Sequence, residues 1–248
     1  MQDDIFKLKD KLIIITGASS GLGLATCKLL DTLGARVIGI ARREDKLQIL
    51  KRECKKFEYR VYDFCNQEGI GKLFDSIVID HGKVNGFAYF AGISDITPLR
   101  NIDSKKAKKI FDVNFFSALE CIKCLYDKRK AANLSIVLIS SQALQASIPA
   151  NSIYDSSKAA LTQLSLSISK DLAKHGFRVN AILPGPIRTE IMKGKEDMQE
   201  LWKSWINSIP LGEGEPSDVA NLCAFLLSPL SKWIAAQRIV VGGGVEFR

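Results

Sequence analysis

Ser152-Ile-Tyr154-Asp-Ser-Ser-Lys158 sets a phenol and an ammonium four residues apart. On a helix that spacing brings the two side chains to one face. A phenol with its ordinary pKa of about 10 is a poor base at neutral pH. A neighbouring ammonium favours the phenolate and brings the group toward a useful range, so the pair suits proton exchange with an oxygen. Ser141 follows an apolar run, Ile136 to Ile139, that reads as a strand. At a strand end, where a parallel sheet opens its binding crevice, the Ser141 hydroxyl can hydrogen-bond a substrate oxygen. An isolated Y-x-x-x-K arises often by chance, so its weight depends on where it stands in the chain.

A second constellation, Thr16-Gly-Ala-Ser-Ser-Gly-Leu-Gly23, separates the apolar run Leu12 to Thr16 from Leu22, Ala25, Leu29, Leu30 and Leu33 at helical spacing. Between a strand and a helix, Gly17 makes the tight turn, Gly21 lets backbone approach a pyrophosphate, and Gly23 permits close helix–strand contact. Free N–H groups and the helix dipole then face the phosphates. The same residues spell the G-x-S-x-G elbow of α/β-hydrolases around Ser19. A hydrolase needs a histidine base, and the two histidines, His81 and His175, are poor candidates, His175 falling at a solvated helix end beside Gly176. After the second strand comes Ala41-Arg42-Arg43, where an NAD-binding chain usually carries a carboxylate for the ribose hydroxyls. Arg42 suits a 2′-phosphate, whereas Glu44 and Asp45 read as first-turn helix acids. NADP(H) is therefore preferred, with NAD(H) the alternative; Arg43 also reads simply as a surface cation.

The elements that must position these groups alternate. Strands are expected at Leu12 to Thr16, Arg36 to Ile40, Tyr59 to Tyr62, Phe87 to Phe90, Ile136 to Ile139, Arg178 to Leu183 and Arg238 to Val241. Helices are expected after the glycine turn up to Gly34, then over 44–56, 68–80, 105–129, 152–175 and 217–227. This alternation predicts one α/β domain over residues 1–248, a doubly wound parallel sheet of about seven strands with helices on both faces. The mixed segment between the sixth strand and the last helix interrupts the pattern, and its residues 186–212 read as a lid or substrate loop. Ile191, Met192, Leu201, Trp202, Trp205 and Ile206 there partly fit one amphipathic face, with one or two left to line an apolar pocket.

Composition narrows the class. A hydrophobic fraction of 46% over 248 residues supports a full core, and no apolar run is long enough to cross a bilayer. The amino terminus lacks the pattern of a signal peptide, and six cysteines fit a reducing compartment, so a soluble cytoplasmic protein is expected. Cys121-Ile-Lys-Cys124 has metal-like spacing but no second pair, and reads as two thiols packed in a helix; no metal is expected. The net charge of +8 comes from basic residues scattered among acidic ones, without a nucleic-acid-binding motif. No nucleic-acid or membrane partner is expected, and the positive field serves better to attract an anionic cofactor or substrate.

Taken in order, Thr16-Gly-x-x-x-Gly-x-Gly23, Asn114, Ser141, Tyr154-x-x-x-Lys158 and Pro184-Gly185-x-x-x-Thr189 resemble the short-chain dehydrogenase/reductase family over essentially the whole chain. The pattern is most similar to 3-oxoacyl-[acyl-carrier-protein] reductases and their relatives. The resemblance implies hydride transfer between a nicotinamide and a carbonyl or alcohol carbon, with Tyr154 exchanging the proton on oxygen. It implies that Lys158 also holds the nicotinamide ribose, that Ser141, thirteen residues before the tyrosine, orients the carbonyl, and that Asn114 supports a water linking Lys158 to solvent. Pro184, Gly185, Ile187 and Thr189 would seat the carboxamide, and Asp63 with Phe64 would meet adenine. Ser19, Ser20 and Leu22 of the glycine turn, together with Ala91 and Gly92 after the fourth strand, complete the implied cofactor contacts. A homotetramer, or failing that a homodimer, is the implied assembly.

Two departures stand out. Tyr89-Phe90-Ala91-Gly92 replaces the family's common Asn-Asn-Ala-Gly, and Val241-Gly242-Gly-Gly replaces the frequent Val-Asp-Gly-Gly. Where the carrier-protein reductases commonly hold arginines for an acidic carrier, this chain has Ala132 and His175, with Lys128 to Lys130 nearby. The substrate is thus a small carbonyl or alcohol compound, with a 3-oxoacyl thioester one case. A non-catalytic NADP(H) sensor or scaffold on the same fold is the alternative.

Overall fold

The computed structural model describes residues 4–146, 148–187 and 206–245. Leu12–Thr16 (β1) is buried along its length. Leu12 and Ile14 face one apolar layer and Ile13 and Ile15 the other, as period-two alternation requires when both sheet faces are covered. Each buried isoleucine contributes about 2 kcal/mol of burial free energy. Arg36–Ala41 (β2), Phe57–Val61 (β3), Val84–Tyr89 (β4), Ala131–Ile139 (β5), Arg178–Pro184 (β6) and Arg238–Val241 (β7) complete a seven-stranded sheet. Its order is β3-β2-β1-β4-β5-β6-β7, and every neighbouring pair is parallel. Gly21–Thr32 (α1), Glu44–Glu53 (α2) and a later helix, Pro216–Leu227, cover one face. Ile70–His81 (α3), Ser104–Phe111 (α4), Ser117–Leu125 (α5) and Ser152–Ser167 (α7) lie on the other, after a short Ala143–Ala146 turn (α6). Ser169–Ala173 (α8) follows α7, which makes Pro216–Leu227 α9. Strand order reverses between β1 and β4, and the crevice at their carboxyl ends is where α/β sheets of this kind bind ligands.

Several expected helices are shorter or broken, each for a local reason. The 44–56 helix stops at Glu53 because the Asp31 carboxylate accepts the N–H groups of Lys55 (3.1 Å) and Lys56 (2.6 Å) and turns the chain into β3. The 105–129 helix is interrupted by a π-helical turn, Asp112–Phe116, and ends at Leu125. The 152–175 helix breaks at Ile168, where Ser165 and Ser167 return their hydroxyls to the carbonyls of Thr162 (2.7 Å) and Gln163 (3.0 Å). His175 is half-buried rather than solvated, its ring edge-on to Tyr126 at 4.6 Å. Most of the expected lid, including Ile191, Met192, Leu201, Trp202 and Trp205, lies outside the described residues, as does Thr189. Among the described residues, no helix is long and apolar enough to cross a membrane.

Candidate active site

The glycine-rich turn is shaped by what a side chain would hit. Gly17 and Gly21 adopt φ of 67° and 53°, values that a residue with a Cβ takes only with strain. A Cβ on Gly23 would stand 2.4 Å from the Gly17 carbonyl oxygen, and one on Gly17 would stand 3.0 Å from the Ala91 nitrogen. Thr16 fixes this approach: its hydroxyl accepts the N–H groups of Phe90 (2.9 Å) and Ala91 (3.0 Å). Ser20 precedes α1 without capping it through its side chain. The first-turn N–H groups of α1 thus face the crevice, and the residues fit a pyrophosphate.

The neighbouring cations divide. Arg43 donates from Nε and Nη2 to the Ser19 hydroxyl, at 3.2 and 3.1 Å. Arg42 leans instead toward Asp63, with 4.0 Å between Nη1 and Oδ2. The arginine that sequence ranked second is therefore the one that reaches the glycine turn. Asp63 accepts the Cys65 N–H, and that bond holds its carboxyl below the ordinary range. The Phe64 ring is packed in the core, edge-on to Tyr89. Ser19 meets neither histidine: His81 and His175 precede β4 and β6, at the opposite end of the parallel strands. The hydrolase elbow lacks its base.

At the carboxyl end of β5, the two serines part. Ser140 is buried, donates to the Lys158 carbonyl (2.9 Å) and accepts from Thr162 (2.6 Å), so its hydroxyl is spent on α7. Ser141 is half-buried and accepts the Ala143 N–H at 3.1 Å, and its hydroxyl is near enough to the Tyr154 phenol to lower it. Lys158 is 4% exposed, and its ammonium donates to the Ile139 carbonyl at 2.8 Å. It stands 5.8 Å from the centre of the Tyr154 ring. Burial pushes the lysine down to about 8. Tyr154 goes the other way: burial raises it to about 12, against the lowering effect of Ser141. Lys158, 5.8 Å from the ring, does not lower the phenol, desolvation dominates, and the phenol holds its proton at neutral pH.

Asn114 lies at the centre of the π-helical turn and is fully buried. Its amide accepts the Ile93 N–H (2.9 Å) and donates to the Ile93 carbonyl (3.0 Å) and the Ser157 hydroxyl (2.9 Å). Ser157 in turn donates to the Tyr154 carbonyl at 2.7 Å. The residue therefore ties the loop after β4 to the helix that carries the tyrosine. A Cβ on Gly92 would meet Asn114 Oδ1 at 3.3 Å and Lys158 Nζ at 3.4 Å, so these three line one wall. The Tyr89 departure has a physical account. Its ring fills the core, and its hydroxyl donates to the Val113 carbonyl (2.5 Å), one of the backbone groups of the π turn. Pro184 ends β6 and Gly185 follows it, and Ile187 is buried, bridged to Gly214.

A family model described as Enoyl-(Acyl carrier protein) reductase matches residues 17–246. The chain belongs to the short-chain dehydrogenase/reductase family. It is 30% identical over 249 residues to a D-erythrulose reductase of Gallus gallus, covering 98% of both chains. It is 32% identical to the 3-oxoacyl-[acyl-carrier-protein] reductase FabG of Rickettsia prowazekii (strain Madrid E), over 96% of this chain and 98% of that one. L-xylulose reductase of Homo sapiens is 28% identical, over 96% and 97%. A solved short-chain type dehydrogenase/reductase from Mycobacterium ulcerans superposes with a TM-score of 0.88 at 29% identity, covering 96% of this chain and 90% of that one. These relatives place the chain among oxidoreductases of carbonyls and alcohols.

In this short-chain dehydrogenase/reductase, sequence reasoning passed over three side chains at the crevice. Asp155, next to the tyrosine, accepts from Asn151 at 2.6 Å, yet burial raises it to about 6. Ser157 joins Asn114 to α7. Gln142, directly after Ser141, is 2% exposed. Asp155 and Ser157 lie inside the Tyr-x-x-x-Lys segment, where an acid beside the phenol was a visible signal. Gln142 carried none, because its neighbours come from β6 and β7.

Proposed function

We propose that this chain is an NADP(H)-preferring reductase of a small ketone, with Tyr154 as the proton donor. The observation that carries the reading is the meeting of Ser141, Tyr154 and Lys158 at the end of β5, beside a crevice whose glycines leave room for a pyrophosphate. When bound, the nicotinamide supplies the hydride. Ser141 and Tyr154 share the substrate oxygen, and Tyr154 gives up its phenolic proton as charge develops there. Lys158, an ammonium below about 8, stabilises the phenolate that is left. The wall formed by Gly92, Asn114 and Lys158 offers the route by which the proton is restored.

Arg43 on the glycine turn and Arg42 beside it support NADP(H), since together they present charge-assisted donors where a 2′-phosphate would lie. Asp63 and the backbone at Phe64 are assigned to the adenine side, and Pro184, Gly185, Ile187 and Thr189 to the carboxamide. His175 packs on Tyr126 where a carrier-protein reductase commonly has an arginine, which supports a free ketone over a carrier-bound one. The names of the relatives suggest which ketones to try first: D-erythrulose, L-xylulose and 3-oxoacyl thioesters. One domain, a cytoplasmic setting and a homotetramer or homodimer belong to the same reading. The test is consumption of NADPH, with NADH in parallel, over a panel of ketoses, other ketones, quinones and 3-oxoacyl thioesters. Turnover of one class with NADPH supports the reading. Tight NADPH binding with no turnover anywhere in the panel would replace it with the sensor alternative.

A further inference from the structure

Gln142 stands where three strand ends converge. Its backbone N–H donates to the Pro184 carbonyl (2.9 Å), and the Gly185 N–H donates to the Val241 carbonyl (2.8 Å), so the segments after β5, β6 and β7 are laced together. Its side-chain amide lies between the last two. A Cβ on Gly185 would come within 2.8 Å of Gln142 Oε1, and one on Gly242 within 2.2 Å of the same atom. Nε2 donates to the Val245 carbonyl at 2.7 Å, while Oε1 is buried with no hydrogen-bond partner. A side chain 2% exposed that leaves a buried acceptor unpaired carries a free-energy cost, and a methionine side chain of similar bulk would avoid it. What the amide provides is a fixed spacer with one anchored end. It also accounts for the glycine at 242: any side chain there, including the family's common aspartate, would displace the amide.

We propose that Gln142 is a positioning residue for the reaction, a wedge that sets the Pro184–Gly185 turn relative to Ser141 and anchors both to the C-terminal glycine segment. The proposal rests on the reading of Pro184–Gly185 as the nicotinamide seat. Because Ser141 and Gln142 are adjacent, a shift of the amide moves the hydroxyl and the turn together. Misplacement of reacting groups by an ångström or less is enough to slow an oriented step by one to two orders of magnitude.

The test is a double-mutant cycle on the full-length protein, with kcat counted per NADPH-binding site so that unfolded protein does not contribute. Gln142→Met keeps the bulk and loses the amide; it is expected to lower kcat about tenfold while the carbonyl KM stays near wild type. Gly242→Ala is expected to do the same by expelling the amide. In a Gln142→Ala background, where the space is vacated, Gly242→Ala should add little further loss. NADPH affinity, read by fluorescence, should follow the same non-additive pattern. Equal losses from Gly242→Ala in both backgrounds, or a neutral Gly242→Ala, would overturn the wedge. If the wild type binds NADPH but reduces no carbonyl, the proposed function fails instead. The cycle is then decided on NADPH affinity alone, where additive losses still overturn the proposal.

Discussion

The two ends of the crevice are built on opposite principles. At the β1–α1 end, backbone does the work. Gly17, Gly21 and Gly23 are there for what they lack, and the one side chain that organises the turn, Thr16, does so by accepting two backbone N–H groups. At the β5–α7 end, side chains do the work, and several are ionisable groups held away from water. Lys158 is brought down to about 8, Tyr154 up to about 12 and Asp155 up to about 6, in each case chiefly by burial. The first end selects by shape and the second by electrostatics. Steric damage should therefore remove binding and turnover together, and removal of a polar atom should separate them.

The largest effect on cofactor affinity is expected from adding a methyl group to the first end. In Gly23→Ala the new Cβ meets the Gly17 carbonyl, which is backbone and cannot swing aside. NADPH affinity should fall by about a hundredfold, with turnover lost in parallel, as isothermal titration and steady-state rates would show. Affinity within a few-fold of wild type would mean that the turn is not the phosphate site. A smaller and more selective loss is expected at the rim. Arg42→Ala combined with Arg43→Ala should weaken NADPH by about thirtyfold and leave NADH unchanged, since only the 2′-phosphate loses its charge-assisted partners. Equal changes for both cofactors would remove the assigned preference.

The smallest effect belongs to the second end. Asp155 has a folded-state pKa of about 6 against an ordinary 3.8, so the folded protein binds its proton more tightly than the unfolded chain does. Its contribution to stability is therefore lost as pH rises from about 4 to 6, and the carboxylate is a liability at neutral pH. Asp155→Asn should stabilise the protein at pH 7.5 by about 1 kcal/mol, allowing for solvent screening of a half-exposed group, and by nothing measurable near pH 4. A variant equally stabilised at both pH values would show that charge is not the cause.

How much of this was legible in the sequence follows the same division. The glycine turn and the strand–helix alternation could be read directly, because steric permission and buried-strand periodicity are local properties. The choice of Ser141 came only from resemblance, and the structure supplies a reason, since Ser140 is tied to Lys158 and Thr162. A helix irregularity at Asn114 could be suspected from a polar residue there, but not the π turn itself, in which the Val113 carbonyl is satisfied by Tyr89, a residue from a distant strand. Arg43 and Arg42 changed places because rotamer direction, not order in the chain, decides which one crosses the turn. The raising of Tyr154 has a related cause: an ammonium four residues on can be inferred from spacing, but the depth of burial that dominates the phenol cannot.

The central claim is that Tyr154 is the proton donor in a crevice whose cofactor grip lies elsewhere. Its most direct test is Tyr154→Phe, measured for NADPH affinity and for turnover on the best ketone from the panel. The account predicts a dissociation constant within about threefold of wild type and a kcat reduced by about a thousandfold or more. Retained turnover, or turnover and cofactor affinity falling together, would contradict it.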